Sequence, residues 1–216
     1  MPLHAECRRS IGVGILLLVC IIALPIIASQ ATARSDGPPI ARTGAPGEGD
    51  CSQCHGALND GLGGMITIDD VPAAYVPGQL YTLSVTLSRT GKSRWGFEIT
   101  ALDAGDAPAG ALAASSPLTG YNTQGGTNRQ YVYQTTNNGD GSFAGTANGP
   151  VSWTFDWTAP AAGAGAVTFY AAGVAADGNG NADSGDPVYT TSVTSAEDVT
   201  TPTAVTTWGW IKNHYR

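Results

Sequence analysis

The chain has 216 residues, of which ten are Lys or Arg and seventeen Asp or Glu, for a formal net charge of −7. An acidic surface repels phosphate backbones, which argues against nucleic acid as a partner. The length suits one domain with tails, and few charges amid abundant Gly, Ala, Thr and Ser match the composition of secreted β-proteins.

Arg8 and Arg9 precede an apolar run over residues 11–27, followed by small residues including Ala31-Thr32-Ala33. A basic start, an apolar stretch and an A-x-A-like site form the layout of a secretory signal peptide, here residues 1–33. The run of 17 residues is long for a cleaved signal and at the short limit for a membrane span. An uncleaved anchor is therefore the alternative. Cys7 and Cys20 leave with the leader, and Cys20 lacks the small preceding residue of a lipoprotein site. Export places the rest where disulfides persist and where bacteria attach c-type haem.

Residues 34–64 are rich in Gly and Pro and read as coil. They contain Cys51-Ser52-Gln53-Cys54-His55, a C-x-x-C-H sequence, the attachment signature of a c-type haem. The spacing has a chemical reason. Two cysteines three positions apart can form thioethers to the two vinyl groups of one porphyrin edge, and the adjacent histidine can hold the iron axially. Cys51 and Cys54 are thus the candidate haem thioether positions and His55 the candidate axial ligand. A thioredoxin-like C-x-x-C should open a helix beside a βαβ unit, which this coil does not. A structural zinc site needs four ligands, and the only other histidine after the leader is His214. A Cys51–Cys54 disulfide remains the open rival.

The sixth iron position has one candidate in Met65, the only methionine after the leader, which would raise the reduction potential. Against that, Met65-Ile66-Thr67-Ile68 reads as the start of a strand. His214 is an alternative only if the tail folds back, and an open or water-filled position is a third.

From there the pattern is β. Tyr81, Leu83, Val85 and Leu87 alternate with Thr82, Ser84, Thr86 and Ser88, which puts the apolar groups on one face. Trp95, Phe97, Ile99 and Ala101 repeat the pattern, as do Val151, Trp153, Phe155 and Trp157. Val167, Phe169 and Ala171 make another strand, and Tyr189, Thr191 and Val193 a last one, with a shorter candidate at Tyr131 to Gln134. Turn-rich segments such as Val76-Pro77-Gly78 and Asn137-Asn138-Gly139-Asp140-Gly141 separate them. Six to eight half-buried strands predict an all-β, antiparallel immunoglobulin-like β-sandwich over residues 65–194. The aromatic set at strict alternation is read as core, in preference to a ligand cleft.

Asp177-Gly178-Asn179-Gly180-Asn181-Ala182-Asp183 carries oxygen side chains at alternate positions, as calcium loops do. It departs from the EF-hand pattern, with Ala182 where glycine is required and Val188 where the bidentate glutamate belongs. Calcium is the weaker cofactor candidate, since a hairpin turn explains the same residues. Neither paired catalytic carboxylates nor a Ser/His/Asp set stands out, so an enzyme is not expected.

Several motifs in order resemble one family. Thr43-Gly44-Ala45-Pro46-Gly47-Glu48 leading into the C-x-x-C-H sequence is followed by Tyr75-Val76-Pro77-Gly78-Gln79, then Gly96-Phe97-Glu98-Ile99-Thr100-Ala101-Leu102-Asp103. Trp153-Thr154-Phe155-Asp156-Trp157, Phe169-Tyr170-Ala171-Ala172-Gly173, Asn179-Gly180-Asn181 and Ser184-Gly185-Asp186 complete the set. Together they resemble the bacterial Reeler-like domains, also called choice-of-anchor V, over about residues 37–194. The resemblance implies a β-sandwich on secreted or surface-displayed proteins, tethered by varied C-terminal anchors, without one settled activity. Many bacterial members similarly carry C-x-x-C-H, whereas animal relatives keep a cysteine without haem.

Residues 195–207 read as a Thr-rich linker, and residues 208–216, Trp208-Gly209-Trp210-Ile211-Lys212-Asn213-His214-Tyr215-Arg216, as an aromatic and basic tail. Two tryptophans in a free tail would be costly exposed surface, which suggests docking to the cell envelope. The other reading packs the tail on its own domain. Two function classes follow. One is an exported, periplasmic or surface monohaem c-type protein that passes single electrons to a redox partner not readable from sequence. The other is a surface binding or adhesion module with a Cys51–Cys54 disulfide and no haem.

Overall fold

Ten strands and one 3₁₀ turn make up the residues that the computed structural model describes, 33–199. The turn spans Cys51–Gln53. The strands are β1 (Met65–Asp69), β2 (Ala74–Tyr75), β3 (Leu80–Ser88), β4 (Arg94–Leu102), β5 (Ala111–Ala113), β6 (Thr119–Thr123), β7 (Gln130–Gln134), β8 (Val151–Thr158), β9 (Val167–Ala176) and β10 (Val188–Glu197). They form a four-stranded sheet in the order β1-β3-β8-β5 and a six-stranded sheet in the order β2-β10-β9-β4-β7-β6. The expected all-β sandwich is therefore present.

Period-two alternation drives this packing. Leu83, Val85 and Leu87 of β3 and Val151, Trp153, Phe155 and Trp157 of β8 face Trp95, Phe97, Ile99 and Ala101 of β4 and Val167, Phe169 and Ala171 of β9. Phe97 stacks on Trp153 with ring centroids 4.5 Å apart, and Trp157 meets Phe169 edge-on at 4.8 Å. Each such side chain contributes roughly 1.5–3 kcal/mol by leaving water. The buried indoles also need acceptors. Trp95 Nε1–H donates to Thr146 O, Trp153 Nε1–H to Gly141 O and Trp157 Nε1–H to Ala109 O. The aromatic set is core, as its spacing predicts.

Three features differ from the sequence expectation. The short β2, β5 and β6 carry too few alternating residues to read as strands. The sandwich is not wholly antiparallel, because β2 pairs with β10 in parallel through Ala196 and Glu197. That pairing, with Ser195 opposite Val167, carries β10 three residues past Thr194 into what reads as linker.

The third difference positions the site. Alternation predicts one wet face on β4, yet from Trp95 to Leu102 every residue is buried. The outer face of this central strand is covered by the segment that reads as coil, residues 33–64. Arg42 N–H donates to Glu98 Oε2 at 2.5 Å, and Arg129 Nη1 and Tyr131 OH donate to Glu48 Oε1 at 2.7 and 2.8 Å. Further on, Leu58 bridges to Val188, and Asp60 is held by Arg89 at 3.0 Å and by Tyr189 OH at 2.9 Å. Residues 33–64 thus form a strap across the six-stranded sheet. The leader (1–33, except Ala33), most of the linker and the 208–216 tail with His214 lie outside the described residues.

Candidate functional site

The C-x-x-C-H sequence sits on the strap. Asp50 caps the 3₁₀ turn, its Oδ1 accepting Ser52 N–H at 2.7 Å. The N–H groups of Cys54 and His55 both return to Cys51 O, at 3.2 and 3.0 Å. Gly56 N–H then donates to Asp186 O at 2.8 Å, and a Cβ on Gly56 would meet Ser184 O at 2.8 Å. Only glycine lets the chain approach so closely.

That approach sets His55 beside Asp186. His55 Nδ1 lies 3.0 Å from Asp186 Oδ2, a carboxylate with no exposed surface. A carboxylate only accepts, so Nδ1 carries the hydrogen of this contact. Asp186 is itself fixed, its Oδ1 accepting Asp177 N–H at 3.0 Å. This is the arrangement in which a histidine serves as a metal ligand through Nε2.

Cys51, Cys54 and His55 line one pocket of about 250 Å³. Pro38, Pro39 and Val174 supply apolar walls, and Arg34 and Arg42 add two cations. A Cβ on Gly96 would stand 3.0 Å from Gln134 Nε2 and 3.2 Å from Val174 Cγ1, so the glycine keeps the floor open. Neither Arg34 nor Arg42 joins the ion pairs His55–Asp186, Arg89–Asp60 and Arg129–Glu48, and Arg42 Nη1–H donates to Ala41 O at 3.0 Å. The two cysteines differ. Cys54 is exposed, whereas burial, with the charges of Glu98 and Asp50 adding, pushes the Cys51 thiol up to about 12. Cys51 Sγ points at Arg42 O, 3.9 Å away.

Glu98 lies beneath this wall with no exposed surface. Its Oε2 accepts Arg42 N–H, while Oε1 is buried without a hydrogen-bond partner. Burial first, and the charge of Glu48 next among the raising causes, push Glu98 up to about 8.

The other candidates fall differently. Met65 does not line the pocket. It begins β1, 60% exposed, opposite Ser88. Asp177 and Asp183 do come together, but with Asp186, their ligand oxygens within 4.8 Å of one another. Asn179 donates its amide Nδ2–H to Asp177 and Asp183, at 3.2 and 2.9 Å. In this arrangement the loop satisfies itself and serves to place Asp186. Asp186 stands 131 residues from His55, and no local spacing signals the pairing. Glu98 left a faint signal, a carboxylate in the middle of an apolar central strand.

No protein-family model matches the chain, and no curated protein does. Solved structures do. The Reelin-N domain of F-spondin matches with a TM-score of 0.43 at 17% identity, over 68% of this chain and 94% of that one. A human F-spondin reeler domain matches with a TM-score of 0.39 at 19% identity, over 68% and 98%. The full-length major pilin SpaD from Corynebacterium diphtheriae matches with a TM-score of 0.37 at 14% identity, over 61% and 35%. Similarity at this level carries no conclusion about activity or partner.

Proposed function

We propose that this chain is an exported Reeler-like β-sandwich protein that carries one covalent c-type haem on the strap and passes single electrons. The observation that supports it most is His55, whose Nδ1 is held by buried Asp186 and which lines one pocket with the two cysteines. Cys51 and Cys54 would hold the macrocycle by thioethers, and His55 would hold the iron. The group would supply a one-electron couple, its potential set by the axial ligands and by burial.

The donor set fits such a group. Two thiols and one oriented imidazole face a pocket with apolar walls, and Gly96 leaves room on its floor. The volume is below the roughly 300–1,000 Å³ of pockets that enclose a whole ligand, so it suits part of a macrocycle. The chain's own residues do the rest. Asp186 fixes the imidazole; Pro38, Pro39 and Val174 exclude water; and Arg34 and Arg42 offset negative charge.

Haem staining of a denaturing gel tests the reading, using full-length protein made in a host with cytochrome c maturation. Stain that survives denaturation and disappears in Cys51→Ala/Cys54→Ala is the expected result. Wild-type protein without stain would overturn it. The second reading is a surface binding module with a Cys51–Cys54 disulfide and no haem. On its side is the single 3₁₀ turn between the two cysteines, which suits a small disulfide loop.

A further inference from the structure

Glu98 is a buried carboxyl with one oxygen unpaired, and no step above uses it. Buried polar atoms without partners are few in native proteins, and each calls for a reason. Among the described residues the only other such side-chain atom is Ser195 Oγ. The carboxyl is tied to the motif through one residue. Arg42 donates its backbone N–H to Glu98 Oε2, and its backbone O faces Cys51 Sγ. The same carboxyl's charge raises the Cys51 thiol, so Glu98 and the pocket wall already feel each other electrostatically.

We infer that Glu98 is a proton-binding site linked to the redox state of the group held at Cys51, Cys54 and His55, so that the protein carries a proton with its electron. The inference rests on the haem reading. An external one-electron donor protein that reduced the group held there would remove one positive charge from the site. The Glu98 carboxylate is then less stabilised and takes one proton from solvent, forming an O–H bond at Oε1. On oxidation the electron leaves to an acceptor and the proton returns to solvent. In a poorly solvated setting a unit change of charge weighs far more than in water.

The surroundings favour this role. From the strap Arg42, Glu48 and Cys51 face Glu98, with Arg129 committed to Glu48 behind it. On β7, Tyr133 is paired with Glu98 in register, and Tyr131 is raised by burial and by its bond to Glu48. The β9 partner, Ala172, does not titrate. Burial holds Glu98 up at about 8, where a modest change in nearby charge carries it across neutral pH.

The test is the reduction potential of haem-loaded full-length protein between pH 6 and 10, for wild type and Glu98→Gln. The wild-type potential should fall as pH rises near 8, by up to about 59 mV for each tenfold drop in proton activity. The Gln variant should be flat there. Proton release or uptake by the wild type alone, followed with an indicator dye during reduction in weak buffer, gives a readout that needs no variant. Uptake of a substantial fraction of a proton per electron near pH 8 is expected. Equal slopes in both proteins, or no uptake by wild type, would overturn the inference while leaving covalent haem standing. Absence of stainable haem would remove the haem reading, and this inference with it.

Discussion

The two faces of β4 are both buried, and they are buried by different chemistry. Inward, Trp95, Phe97, Ile99 and Ala101 pack against the other sheet, and the large rings have neighbours on every side. Outward, Gly96, Glu98 and Thr100 lie under the strap among carboxylates, guanidiniums and hydroxyls. The inner face holds the domain together and is insensitive to pH. The outer face is a polar layer of buried hydrogen bonds and an ion pair, and it is where the motif is held. A sandwich that must present a site can use its dry face for stability and its second face for chemistry.

The contrast is broken most strongly from the inside. Trp153→Ala should destabilise the whole domain by about 3–5 kcal/mol, measured by denaturant unfolding, because a fully enclosed indole leaves a cavity. Sheet and strap should unfold together.

The outer face should instead respond to pH. Glu98 is raised from its ordinary 4.5 to about 8 in the folded protein. The folded state therefore holds a proton that the unfolded state has released between these values. Stability from this group is fully present below about pH 4.5 and is lost as pH rises through 8. At about 1.4 kcal/mol per pKa unit the effect amounts to at most a few kcal/mol, since opening of the strap alone relieves it. Glu98→Gln should flatten the wild-type decline in unfolding free energy between pH 5 and 9. An identical decline in both proteins would place the burden elsewhere.

A smaller, local effect is expected at the hinge between motif and sheet. Asp186→Ala removes the acceptor for His55 Nδ1–H and for Asp177 N–H, a loss of about 1–3 kcal/mol. It should leave haem attachment intact and alter the iron's absorption spectrum. Least of all, Met65→Leu should shift stability by less than about 0.5 kcal/mol, because the side chain is largely exposed. It should also leave the spectrum unchanged, because Met65 stands outside the pocket.

These regions were not equally legible in the sequence. The inner face announces itself, since Val151, Trp153, Phe155 and Trp157 alternate with polar residues and period two has one physical meaning. The motif is equally plain, being five residues in a row. The strap was opaque because its stability comes from contacts far along the chain. Arg42 meets Glu98 across 56 positions and Glu48 meets Arg129 across 81. Gly- and Pro-rich coil carries no periodicity that would reveal such partners. For the same reason Asp186 reads as one acidic residue in a turn-rich loop until the fold brings it to His55.

The central claim is that the outer face holds a covalent haem, and the mass of the intact chain tests it most directly. Full-length protein exported from a host with cytochrome c maturation should, under denaturing conditions, weigh its polypeptide plus one haem. Cys51→Ala/Cys54→Ala should weigh its polypeptide alone. A wild-type chain without haem and two hydrogens light, as a Cys51–Cys54 disulfide requires, would contradict the account.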